Sequence, residues 1–268
     1  MHILQNKIIN YDLNSRTIVF IHGLFMNQYS WLDWIKYFTI RKFRCHAPPY
    51  PCHDGVPSVL RQNIPQDLGS LDFGQVVDHY RNFLKHLPEQ PILIGHSMGG
   101  LIVQKLMMMN LGVAGICIAP APPAGVFTVN LNFFILNSHV INPFKGDDVC
   151  LPRVRWFHRA FCNTTTLDRA TIEYKKWVVP ESRNIPRSIL GHDGRLKLDL
   201  PHHPMLFIAG ERDHLIPSTL VKANFNRYTH TSSITDFKMF FEKTHLICLQ
   251  PGWEEVAEFI YDWIVEFY

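Results

Sequence analysis

Residues 91–110, PILIGHSMGGLIVQKLMMMN, constrain this chain more than any other stretch. Four residues fit for a buried strand run into a glycine-rich turn, and an apolar helical pattern follows at once. A turn this sharp between strand and helix needs small residues two before and two after its apex. Gly95 and Gly99 supply them around Ser97. A serine hydroxyl is a poor nucleophile unless it is exposed, oriented and beside a base. The bend meets the first two conditions, and the following helix aims its first N–H groups at the same place, where developing negative charge is favoured.

The rest of the chain alternates in the same manner, predicting an α/β fold with a mostly parallel central sheet and helices on both faces. Strands are expected at 17–22 (TIVFIH, buried), 43–47 (FRCHA), 113–119 (VAGICIA) and 204–209 (PMLFIA), with a short last strand at 236–240 (DFKMF). Helices are expected at 30–38, where Trp31, Trp34, Ile35 and Phe38 form a stripe, and at 73–87, where Val76, Val77, Tyr80, Phe83, Leu84 and Leu87 share a face until Pro88. A closing amphipathic helix is expected at 253–266. Residues 122–200 break the alternation. Rich in Phe, Leu, Pro and Arg, with helix-like pieces near 130–140, 152–162 and 165–178, they read as a helical insertion in a core made of 1–121 and 201–268. Residues 180–187 (PESRNIPR) read as a polar return to the sheet.

Composition adds exclusions. With Lys+Arg 26 against Asp+Glu 23 and no run of like charges, nothing points to a nucleic-acid partner. The N-terminal MHILQNKIINYDLNSRT has no continuous apolar core of a secretory signal, and no stretch approaches a membrane span, so stable membrane insertion is not expected. Six cysteines in 268 residues fit reduced thiols and a cytoplasmic location. Cys45-His46 and Cys52-His53 are metal-capable types, but their spacing matches no common zinc pattern, and they read as a strand end entering a loop. Oligomeric state is not written in the sequence.

The strand–turn–helix around Gly95-His96-Ser97-Met98-Gly99 resembles the nucleophile turn of the α/β-hydrolase fold family. The resemblance spans nearly the whole chain apart from the insertion. It implies the order serine, acid, histidine. Asp213, in Gly210-Glu211-Arg212-Asp213 after PMLFIA, matches the acid, with Glu211 as local competitor. The loop after the earlier strand, Ala119-Pro120-Ala121-Pro122-Pro123, offers no carboxylate. His245, after DFKMF and before the last helix, matches the histidine. His214 is adjacent to Asp213 and expected to point away, His230 sits in a polar stretch, and His96 reads as a packing residue of the turn. Ile21-His22-Gly23-Leu24-Phe25 resembles the family's histidine–glycine motif, implying the amides of Leu24 and Met98 as oxyanion donors, with His22 bracing the loop.

What the resemblance implies is an acyl-enzyme mechanism on Ser97, His245 and Asp213, with neither metal nor organic cofactor. The implied substrate is a small or medium, mostly apolar carboxylic ester, and the insertion is implied to form a lid. Phe25, Phe127, Phe133 and Trp156 are the substrate-lining candidates, and Phe134, Ile135, Leu136, Phe157 and Trp177 either join them or form the insertion's own core. An acyltransferase or lyase on the same triad, and a binding protein with slow turnover, are the alternatives.

Overall fold

The computed structural model describes residues 15–267. Residues 1–14, most of the stretch inspected for a signal, lie outside the described residues. Among the described residues, six strands form one parallel sheet: β1 (Thr17–Ile21), β2 (Arg44–His46), β3 (Ile92–His96), β4 (Ala114–Ile118), β5 (Met205–Gly210) and β6 (Thr235–Phe240), in the order β2-β1-β3-β4-β5-β6. Each expected strand is present, with ends shifted by a residue or two.

Ten α-helices of the described residues accompany the sheet: α1 (Leu32–Ile40), α2 (Pro57–Gln62), α3 (Phe73–Leu84), α4 (Met98–Met108), α5 (Leu131–Ile141), α6 (Val154–Phe161), α7 (Leu167–Trp177), α8 (Asn184–Ser188), α9 (Ser218–Phe225) and α10 (Trp253–Val265). α1 starts later than its apolar stripe because Asn27 caps a separate 3-10 turn over Gln28–Trp31. α3 opens on a capping box: Asp72 accepts from the Gln75 amide and Gln75 accepts from the Asp72 amide. The pattern did not foretell α2, α8 and α9. Each spans eight residues or fewer, too short for a 3.6-residue period to stand out.

Strand alternation divides the core into two layers. Ile18, Phe20, Ile92, Ile94, Ile116, Leu206 and Ile208 face Trp34 and Phe38 of α1 and Val256 and Ile260 of α10. Val19, Leu93, Cys117 and Phe207 face Val76 and Tyr80 of α3, Leu101 and Ile102 of α4 and Val221 of α9. α5 to α8 fall between β4 and β5, and their Leu136, Phe157, Trp177 and Ile185 join this second layer.

The topology also dictates where loops converge. The chain passes from β1 to β2 on one side and then returns to β3 on the other, so the loops after β1 and β3 diverge from neighbouring strand ends. Crevices at such a switch point, beyond the carboxyl ends of parallel strands, are where open α/β sheets bind ligands.

Candidate active site

The loop after β3 is a strained bend. Ser97 has φ +56° and ψ −119°, a left-handed backbone outside the helical well. The strain persists because the bend is pinned on both sides: the Ser97 amide donates to the Ile118 carbonyl at 2.9 Å, and the Ser97 carbonyl accepts from the Ala121 amide at 2.9 Å. A Cβ on Gly95 would collide with the Gly99 carbonyl, and one on Gly99 with the Ile21 carbonyl, so both positions exclude side chains by contact. A Cβ on Gly23 would come within 2.8 Å of the Ser97 Cβ. This close approach brings the loop after β1 against the serine.

Ser97, His245 and Asp213 meet in one hydrogen-bonded line. His245 Nε2 is 2.9 Å from Ser97 Oγ, and His245 Nδ1 is 2.7 Å from Asp213 Oδ2. The three side chains come from loops after β3, β5 and β6, and all are buried. Asp213 Oδ1 accepts the amides of Leu215 and Ile216, both at 2.8 Å, which fixes the carboxylate's rotation. Glu211 turns elsewhere, accepting from the Glu242 amide at 3.3 Å and facing Arg212. His214 is exposed and points away from the line, as its adjacency to Asp213 suggested.

Two further histidines shape the site without joining the line. His96 packs its ring 4.8 Å from that of His245 and donates from Nε2 to the His245 carbonyl at 2.9 Å. Burial, reinforced by His245 nearby, holds His96 well below the ordinary histidine pKa. It is a packing residue that also anchors the His245 backbone. His22 accepts from the Tyr50 amide at Nε2 (3.0 Å) and donates from Nδ1 to the Gly23 carbonyl (2.9 Å), bracing the loop as its position implied. Burial and then the charge at His53 keep His22 neutral.

Ser97 opens into a cavity of about 520 Å³. Leu24 and Met98 line it beside the serine, and Met98 opens α4, where the first amides have no partner within the helix. The neighbouring Phe25 amide is already engaged by Glu181. Phe25, Phe127, Phe133 and Trp156 all line the cavity, as does Phe134. Phe157 and Trp177 instead pack in the buried core, Leu136 is buried beside them, and Ile135 faces outward. Among the described residues no charged side chain lines the cavity, so it suits a neutral apolar group.

Residues 180–187, read as a polar return to the sheet, bury part of that polarity: Glu181 and Ser182 are fully buried and Arg183 nearly so. Arg183 donates to the carbonyls of His139 (2.6 Å) and Val140 (2.8 Å), and Arg187 to that of Ile141 (2.6 Å), so both cap the carboxyl end of α5. Phe161 was also missed. Its ring meets His245 edge-on at 4.9 Å, and its carbonyl accepts from Thr244 Oγ1 and the Leu246 amide. The signal was present in the helical spacing of Phe157, Ala160 and Phe161, the buried face of α6.

Among the described residues, no group of three or more His, Cys, Asp or Glu is arranged to hold a metal ion, and no helix is long and apolar enough to cross a membrane. Residues 18–259 match the model of the alpha/beta hydrolase family. No curated protein sequence matches the chain. Among solved structures, the chain is similar to a monoacylglycerol lipase of Paleococcus ferrophilus, at 19% identity and a TM-score of 0.69 over 94% of this chain and 95% of that one. It is similar to an extracellular alpha/beta-hydrolase from a Paenibacillus species at 18% identity and 0.69, over 92% and 98%. A methylesterase from Arabidopsis matches at 15% identity and 0.67, over 94% and 99%. Likeness at these identities is likeness of fold.

Proposed function

The chain belongs to the alpha/beta hydrolase family, and from that premise we propose that it hydrolyses carboxylic esters of small to medium, mostly apolar molecules with Ser97 as nucleophile. The observation that carries this reading is the line Ser97–His245–Asp213, with separations of 2.9 and 2.7 Å, standing at the wall of an uncharged cavity.

In this mechanism Ser97 Oγ attacks the ester carbonyl carbon while its proton passes to His245 Nε2. Asp213, fixed by the Leu215 and Ile216 amides, holds the imidazole with its Nδ1–H toward the carboxylate and stabilises the imidazolium. The amides of Leu24 and Met98 receive the charge that builds on the carbonyl oxygen. The tetrahedral intermediate collapses as the imidazolium returns its proton to the departing alkoxide, leaving an acyl-serine. Water, deprotonated by the same imidazole, then releases the acid and restores Ser97.

Residues 122–200 act in this proposal as a cap that roofs the cavity and selects the substrate. The support is that Phe127, Phe133, Trp156 and Ile189 of this segment line the cavity together with Ser97 and Leu24. Turnover of p-nitrophenyl esters of increasing acyl length tests the reading. An uncharged cavity of this size predicts a preference for medium acyl chains over acetate and no turnover of esters with a charged acyl group. Equal rates across the series, or a preference for charged acyl groups, contradicts it.

A further inference from the structure

Phe25 follows Leu24 directly and has φ +65°, a left-handed backbone rare for a bulky residue and kept only where the surroundings fix it. The fixing groups come from the segment between β4 and β5. The Val179 amide donates to the Phe25 carbonyl at 2.9 Å, the Phe25 amide donates to Glu181 Oε2 at 3.3 Å, and the Phe25 ring meets that of Trp156 at 5.5 Å. Glu181 is held in turn. Its amide and carbonyl pair with Cys150 at 2.9 and 2.7 Å, and its Oε1 accepts from the Ser182 amide at 2.8 Å.

The same Oε2 lies 3.1 Å from His53 Nε2, and both side chains are sealed from solvent. His53 Nδ1 lies 2.9 Å from the Pro51 carbonyl oxygen. A carbonyl and a carboxylate both only accept, so both ring nitrogens carry protons and the imidazole is a cation. Burial opposes that charge, but the Glu181 carboxylate and the Pro51 carbonyl together outweigh it and lift His53 above the ordinary histidine value. The other titratable rings packed here, Tyr50 at 5.4 Å and His22 at 5.6 Å, are both held neutral by burial. An ion pair is costly to bury, so one sealed beside the Leu24 loop calls for a reason.

We infer that Glu181 is a positioning residue for the loop after β1: by tying down the Phe25 amide while paired with His53, it aims the Leu24 amide at the oxygen that becomes charged when Ser97 attacks. The inference rests on the proposed role of Ser97. It touches no substrate itself, and its effect is confined to the transition state, so it acts on kcat and leaves KM alone.

The test uses Glu181→Gln and Glu181→Ala, with kcat and KM on a p-nitrophenyl ester and the rate at which a fluorophosphonate labels Ser97. Glu181→Gln retains an acceptor for the Phe25 amide but no charge for His53. It is expected to lower kcat and the labelling rate together by about 10-fold, with KM unchanged. Glu181→Ala, where it folds, is expected to reach about 100-fold, the loss that an ångström of misplacement brings. Wild-type kcat and labelling in Glu181→Gln, or a loss carried by KM alone, overturns the inference. A folded Glu181→Ala no slower than Glu181→Gln overturns it as well. A wild-type protein that is never labelled overturns the Ser97 reading beneath it.

Discussion

Ser97, Asp213 and His245 stand on loops at the ends of parallel strands, whereas Phe127, Phe133 and Trp156 stand on the segment between β4 and β5. Ser97 borders the same cavity as the three aromatic residues, with Asp213 and His245 behind it, yet the surroundings of the two sets differ. The strand-end residues are buried and tied by several hydrogen bonds each, while Phe127 is 83% exposed, Phe134 54% and Leu190 68%, all three lining the same opening. Val129 and Phe144 nearby are almost fully exposed. Chemistry requires fixed distances, and the sheet supplies them. In the proposed function, selection of an apolar substrate requires apolar surface near the mouth, and the segment between β4 and β5 carries such surface in partly wetted form.

If this division holds, substitutions on the two sides separate by size and by kinetic constant. Asp213→Asn keeps the shape of the line but removes the carboxylate that orients His245, and steady-state kinetics are expected to show kcat lower by about 10⁴-fold with the fold retained. Activity near wild type in that variant would move the acid elsewhere and break the account of the floor. On the roof, Trp156→Ala is expected to lower kcat/KM by about 10- to 200-fold for medium-chain esters and far less for acetate. An equal loss for both substrates would mean that Trp156 supports structure rather than selection. Phe157→Ala, a core position of the same helix, is expected to reduce stability by about 3–5 kcal/mol in denaturant titration. Phe127→Ser, by contrast, is expected to leave stability within about 0.5 kcal/mol.

The floor also carries a pH signature. His22 and His96 are buried neutral, their pKa values lowered chiefly by burial. The unfolded chain takes up protons at these positions below about pH 6.5 while the folded chain does not. Stability is therefore expected to fall as pH drops through that range, by about 1.4 kcal/mol per pH unit for each group. His53 works in the opposite sense. Its value is raised, so the contribution of its pair with Glu181 is complete below the ordinary histidine range and fades as pH rises through the folded value. Thermal melts of wild type and of a His96→Gln variant across pH 5–9 check both signs. A melting temperature flat below pH 6.5 in the wild type would contradict the neutral assignment.

The same contrast explains what was legible in the sequence. Apolar runs bounded by glycine or proline announced β1, β3, β4 and β5, and the spacing around Ser97 announced the bend, because both patterns are imposed by local backbone sterics. Asp213 and His245 required the strand order to be recognised, since 32 residues separate them from each other and 148 separate His245 from Ser97. Residues 180–187 were illegible for a different reason. Glu181, Arg183 and Arg187 look like a solvated stretch in composition, and only their distant partners, the Phe25 amide, His53 and the carboxyl end of α5, show why charge is buried there. Phe161 lay between these cases: its burial followed from helical spacing, but its contact with His245 spans 84 positions (161 to 245) that no periodicity connects.

Mass spectrometry of the protein after treatment with a fluorophosphonate probe tests the central claim most directly. The account predicts one adduct per chain, carried by the peptide containing Ser97 and abolished in Ser97→Ala, His245→Ala labelling more slowly by orders of magnitude. An adduct that survives Ser97→Ala, or maps to another residue, would contradict it.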